Sequence, residues 1–539
     1  MSLVLLPQEL LLTALDSLDI EDQWSLGLTC KQLFSRIAYS DQCCRQLLGN
    51  TLRYSEDFRR AVASGAYAHT WRCLVKRRRA VRDAKPYQVA LVNVPGSFTL
   101  SNDALISCRG RWVHVLLFDS SGSRNLRLDA FALLKQALPS IPCCKVDKVN
   151  VLHQAYGIVT LLYQLGDSEM LILFCDPAKS IILGYRSFFD FMSLFVRNDS
   201  KYLYCGHFRS EDDSGPRWKV QCYILAERRW LNTVQLGPHF AGCDPDKTVC
   251  FEIFDGHLYG ATSRSVYLGP YTYNVTQGQY RCVQVIARDS LHVKEVGGNF
   301  KGGRLPVLCE FDRIMLNRDE KTGAVFFQMC RMSMSSEFSL DWSYKQFICP
   351  GSASASDDFD LLSWSPPPPI VKGSYSQGYD ATSGDLIASQ YDTASSVSID
   401  LIRRPVNASR RGLILRAQRI VERPRTKHDP ANEVTLDKAD MLSICCPWLK
   451  IWKESLPAHH TNSLYATHTT KHAWNGKVFA MEYWADESSC TSVLIMSFDP
   501  SIRIKATPRR QGQPARGIGG GSSWARQCDF PTTSNCSLT

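Results

Sequence analysis

Apolar positions in the first fifty residues recur at a helical period. Leu10, Leu11, Ala14, Leu15 and Leu18 fall at i, i+1, i+4, i+5 and i+8, one face of a helix opened by Pro7. Asp19 with Asp22 suits the start of a second short helix carrying Trp24, Leu26 and Leu28, and Thr29 with Gln32 reads as a capping box for a third bearing Leu33, Phe34 and Ile37. A bundle of only about fifty residues buries its apolar faces poorly alone and calls for a partner surface. Helical composition continues to Lys85. After Pro86 the pattern changes to short apolar runs bounded by turn residues: WVHVLLF (112–118), EMLILFC (169–175), KYLYC (201–205), WKVQCYIL (218–225), AVFFQM (324–329), KVFAMEYW (477–484) and SVLIMSF (492–498). Their length and their β-branched and aromatic content predict strands.

Two internal echoes sharpen the β reading. Phe254-Asp255-Gly256 and Trp474-Asn475-Gly476 each place an aromatic before a dipeptide that favours the positive φ of a type I′ hairpin turn. Apolar strands also end repeatedly in aspartate, at Asp119, Asp176 and Asp499, where the carboxylate can bond back to the turn backbone. Short strands recurring over some 400 residues suit a β-propeller better than a sandwich, although no clean period fixes the number of blades. Residues 350–400, rich in Ser, Asp, Gly and Pro, read as a disordered insertion in which Trp364 and Pro366 to Pro369 could serve as a linear motif. Residues 501–539 read as a disordered basic tail.

Composition adds less. The 539 residues are 44% hydrophobic and 21% charged, which is globular, and the net charge of +10 is mild for the length. It is unevenly spread: residues 1–52 hold six acids and three bases, residues 53–85 three acids and ten bases. The apolar N-terminus carries Glu9 and Asp16 and lacks a basic leader, and no long uncharged apolar run follows, so a soluble chain of the cytoplasm or nucleus is expected. The 21 cysteines are odd in number and three times adjacent, which favours reduced, mostly buried thiols. The sequons at Asn198, Asn274, Asn407 and Asn535 then carry no meaning.

The segment LPQELLLTALDSLDIEDQWSLGLTCKQLFSRI resembles the F-box, on Leu6, Pro7, Glu9, Leu10, Leu11, Leu15, Leu18, Asp19, Asp22, Leu26, Leu28, Cys30 and Lys31. Ala14, Gln23, Leu33-Phe34 and Cys43-Cys44 depart from the usual pattern. The layout, with a long Cys- and aromatic-rich β region behind the helices, is similar to fungal F-box proteins with propeller-like C-terminal domains. The resemblance implies that Leu6, Pro7, Leu10, Leu11, Leu15, Leu18, Leu26, Leu28, Cys30 and Lys31 dock a Skp-type adaptor, and through it a cullin. The expected organisation is a multidomain α+β chain. It comprises an F-box at 1–50, a basic helical linker at 51–86, a mostly β, propeller-like substrate-binding domain at 87–500 with its insertion at 350–400, and the tail.

Enzymatic chemistry finds little foothold. His468 and His472 have the i, i+4 spacing of zinc ligands beside His459 and His460, but no metalloprotease Glu follows His468, and solvent-facing histidines in a loop are the favoured reading. No C-x-x-C, G-x-S-x-G or Walker loop occurs. The run Lys76 to Arg79 reads as a solvated helix face, a nuclear localisation signal or a phosphate-binding patch. The expectation is a non-catalytic substrate receptor of a Skp/cullin/F-box ubiquitin ligase that grips an unknown target protein, with no cofactor or metal, no membrane and no nucleic acid. The alternatives are an adaptor-binding scaffold outside any ligase and an enzyme with a propeller active site.

Overall fold

The computed structural model describes residues 3–504 with breaks, the longest at 263–277, 301–310, 349–369, 420–441 and 445–471. The tail from 505, Trp364 with its prolines, Asp119, and His459, His460 and His468 therefore lie outside the described residues. The chain divides into two compact units, one of 1–71, 133–381 and 420–440, the other of 72–132, 382–419 and 441–539. The first five helices thus fall in the same unit as the sheets of 133–381.

Seven helices are described: α1 (Gln8–Asp16), α2 (Ile20–Leu28), α3 (Lys31–Ala38), α4 (Asp41–Thr51), α5 (Glu56–Ser64), α6 (Tyr67–Arg82) and α7 (Ala130–Ala137). Their ends follow local chemistry. Asp19 accepts from the Glu21 and Asp22 amides, Ser40 from Cys43 and Ser55 from Phe58, each satisfying otherwise orphaned helix donors. Helix α3 is capped by Cys30, whose sulfur accepts from the Leu33 amide at 3.5 Å, rather than by the expected Thr29. Thr29 instead closes α2, its hydroxyl donating to the Leu26 carbonyl at 2.7 Å. With one helix ending and the next starting at neighbouring residues, the two caps share the junction. The cap of α6 comes from far away in sequence, the Ala68 amide donating to Asp41 Oδ1 at 2.7 Å.

Among the described residues, seven antiparallel sheets follow α6 in chain order, at 98–129, 146–189, 193–235, 249–300, 311–378, 385–444 and 472–497. The first six are meanders of neighbouring strands; the third carries one extra short strand. The seventh takes the strand Gln88–Pro95 on its outside, paired from Gln88↔Ser497 to Pro95↔Cys490, so the first and last strands of the β region share a sheet. Successive four-stranded meanders are the repeat of propeller architecture. The fold is mixed α+β with a β-propeller-like C-terminal region.

The expected insertion at 350–400 is corrected in part. Strands Ile370–Gly378, Asp385–Asp392 and Val397–Asn407 run through it, paired for example at Asp341↔Ser376 and Gln390↔Ile399. Their Ser, Gly and Asp content conceals them because antiparallel pairing is supplied by neighbouring strands, not by the strand's own composition. The turn at Asp255-Gly256 is the expected one, with φ of 50° and 79°. At Asn475-Gly476 only Gly476 is positive, at 82°. Asn475 Oδ1 accepts instead from the Lys477 and Val478 amides, an Asx turn. The strand-ending aspartates do the same: Asp176 accepts from Ala178 and Lys179, and Asp499 from Ser501. Asp129, Asp199 and Asp319 repeat the device elsewhere.

Aromatic residues fill the space between the third and fourth sheets, where Phe195 stacks on Phe251 at 3.7 Å and Trp218 meets Phe251 edge-on at 5.1 Å. Gly206 permits this, because a Cβ there would stand 2.2 Å from the Phe195 ring. Ten cysteines whose side chains are described are free and six of these are buried; burial pushes the thiols of Cys175 and Cys222 up to about 12.

Candidate functional site

The residues implicated in adaptor docking separate into two groups. Leu11 and Leu15 are 1% and 0% exposed and build the core of the helical bundle with Leu33, Ile37, Leu47 and Leu48. In the chain alone they present no surface to a partner. A bundle this small claims the i, i+4 leucines of α1 for its own core, so the outward face is turned by one residue. Leu10 and Leu28 point outward at 56% and 55% exposure, as does Leu5, which sequence inspection did not single out, at 75%. Pro7 and Lys31 are also exposed, whereas Leu6, Leu18, Leu26 and Cys30 are half-buried. Arg36 holds the first turn in place, its two terminal nitrogens donating to the Val4 and Leu6 carbonyls at 2.8 and 3.0 Å.

Apart from the exposed Ala14, the departures from the F-box pattern serve internal packing. Gln23 is fully buried and its Nε2 donates to the carbonyls of Leu15 and Leu18, both at 3.1 Å, tying α2 to the end of α1. Cys44, also buried, donates from Sγ to the Ile37 carbonyl at 3.0 Å. Phe34 lies edge-on to Trp24 at 5.3 Å, and Trp24 packs on the fully buried Trp71 at 5.5 Å.

Residues 54–59 fasten the helices to the sheets of the same unit. They meet the first hairpin turn of the second, fourth and fifth sheets. The Tyr54 amide donates to the Glu320 carbonyl at 2.9 Å, and the Arg318 guanidinium lies 4.4 Å over the Tyr54 ring. Gly323, at φ 78°, leaves the space that the Tyr54 ring fills. Arg318 also grips Asp255 through both terminal nitrogens, one at 2.8 Å, and holds that carboxyl below the usual range. Arg59 is bonded to the Tyr156 phenol, whose pKa is raised by burial against the opposing pull of Arg59. The outward leucines are thereby held in a fixed orientation to these sheets.

The basic run of α6 is not a uniformly solvated face. Arg77 is buried and its Nη1 lies 3.0 Å from Oδ2 of the equally buried Asp499. Burial alone would raise the Asp499 carboxyl, but Arg77 and the bonds from Ser501 outweigh it and keep the group below its ordinary value. His472 pairs with Met481 in the first strand of the seventh sheet. No cluster of three metal-binding side chains occurs among the described residues, and no described helix is long and apolar enough to cross a membrane.

No known family model matches this sequence, nor does any curated protein. Among solved structures, the Dos1 propeller overlaps 57% of this chain and 65% of its own, at 12% identity and a TM-score of 0.28. The β-propeller domain of the trilobed protease from Pyrococcus furiosus overlaps 63% and 100%, at 8% identity and 0.26. A PL25 ulvan lyase overlaps 66% and 82%, at 10% identity and 0.30. Overlaps this slight transfer neither ligand nor activity to the chain.

Proposed function

We propose that the chain is an F-box substrate receptor, non-catalytic, which holds a Skp-type adaptor with its N-terminal helices and a target protein with its β region. The observation that supports this is the outward placement of Leu10 and Leu28 within the L-P-x-E-L-L segment and its sequel, on a bundle whose own core is already filled by Leu11 and Leu15. Apolar side chains that form a contiguous exposed patch mark partner surfaces. The fastening at Tyr54 and Arg318 gives the reading a mechanical sense: a target held by the sheets of that unit is presented to the ligase at a set distance, which raises its effective concentration there.

The test is calorimetric titration of the full chain with a purified Skp-type adaptor. Leu10→Asp combined with Leu28→Asp abolishes binding while leaving the thermal midpoint unchanged, because both residues are already in water. Wild-type affinity in this double variant, or no adaptor binding by the wild-type chain, overturns the reading.

A further inference from the structure

The outermost strand of the second sheet, Ile181–Phe189, pairs with Glu169–Asp176 on one side and, among the described residues, with no strand on the other. Edge strands of soluble β proteins are ordinarily short, charged or covered, because their free backbone groups recruit other chains. This one is nine residues long and exposes Ile181, Tyr185 and Phe189 at 42%, 42% and 54%.

An open groove of ≈ 780 Å³ runs beside it, with Tyr223 and Trp230 of the third sheet as its far wall. That wall is rigid. The Tyr223 hydroxyl donates to the Leu183 carbonyl at 2.7 Å, and the Arg186 guanidinium stands 5.7 Å over the Trp230 ring. Gly184 admits the Phe174 and Tyr223 rings, which a Cβ would meet at 2.5 and 3.0 Å. A second groove of ≈ 420 Å³ shares Arg186 and Ser187 with the first and reaches Arg209 and Lys219. The formal charges lining the two are Arg186, Arg228, Arg209 and Lys219; no Asp or Glu joins them among the described residues.

We propose that this edge receives an extended acidic segment of a partner protein, added to the second sheet as a further strand. Backbone hydrogen bonds to the free edge give such a complex its affinity, and side chains on alternate positions give it specificity. Acidic side chains of the incoming strand meet Arg186 on one face of the edge, and its apolar ones rest on Tyr185 on the other. A second copy of the chain is a poor occupant, since it would bring the same arginines against themselves. Binding here needs no adaptor, so the inference goes beyond the receptor reading and stands or falls apart from it.

The probe is a fluorescein-labelled peptide of alternating Glu and Val, titrated with the full chain and followed by fluorescence anisotropy. It binds saturably and more weakly as salt rises, and the corresponding Lys and Val peptide does not bind. Arg186→Glu weakens the Glu and Val peptide by about tenfold or more, with an unchanged circular dichroism spectrum. Tyr185→Glu, also at an exposed position, weakens it as well and serves if the first variant misfolds. Three outcomes each overturn the proposal: equal binding of both peptides, tighter competing binding of oligouridine, or dimerisation of the free chain through this edge.

Discussion

Two strands hold the same place in their sheets, outermost and, among the described residues, paired on one side only, yet their surroundings differ. Gln88–Pro95 buries Ala90, Val92 and Val94 in a cluster with Phe98, Leu105 and Ile495. The Gln88 side chain clamps Ile504 from both directions, Nε2 donating at 2.6 Å and Oε1 accepting at 2.7 Å, and the strand ends in a proline that offers no donor. Ile181–Phe189 is covered only in part, by Tyr223 on the Leu183 carbonyl, and leaves Ile181, Tyr185 and Phe189 exposed. Other outer strands are defended differently: Arg124–Asp129 carries charges, and the edge of the third sheet is broken into the two-residue pieces Arg229–Trp230 and Val234–Gln235. An edge left long and apolar, where the edges at 88–95, 124–129 and 229–235 are covered, charged or broken, marks a surface kept for a partner.

The contrast can be broken most severely at the covered strand. Arg77→Ala strands the buried Asp499, which follows directly on the strand pairing with Gln88–Pro95, and should destabilise its unit by about 3 to 5 kcal/mol in urea denaturation. The Asp499 pKa is lowered in the folded chain, so the stability it contributes is present above the ordinary carboxylate range, and is lost as pH falls through its folded value. Wild type and Arg77→Ala should accordingly differ fully near neutrality and converge below about pH 4. A difference that persists or widens in acid would show that the pair is not what Arg77 contributes.

A smaller pair of substitutions compares the two edges directly. Val92→Ala, at a 4% exposed position, should cost about 1 to 3 kcal/mol. Tyr185→Ala, on the open edge, should stay within about 0.5 kcal/mol. Equal losses at both positions in denaturant titrations would mean that Tyr185 supports the fold as strongly as Val92 does.

Much of the scaffold was legible from local chemistry. The first helices declared themselves through period and caps, the strands through β-branched runs, and the Asp255-Gly256 turn through its dipeptide. What failed was decided by distant partners. The strands inside 350–400 exist because neighbours pair with them, and Leu11 and Leu10 trade places because the bundle chooses which face to bury. The run IILGYRSFF reads as an ordinary apolar strand; nothing local says that it is outermost, since sheet order is non-local. Arg77 likewise reads as one cation among four until Asp499, more than 400 residues away, is beside it.

Amide hydrogen exchange on the full chain reads both edges in one sample. Amides of 88–95 should exchange slowly with or without the Glu and Val peptide, while those of 181–189 that face away from Glu169–Asp176 should exchange fast and become protected only when the peptide is present. Protection of 181–189 equal to that of 88–95 in the free chain, or no gain on adding saturating peptide, would contradict the distinction between a covered edge and one kept open for a partner.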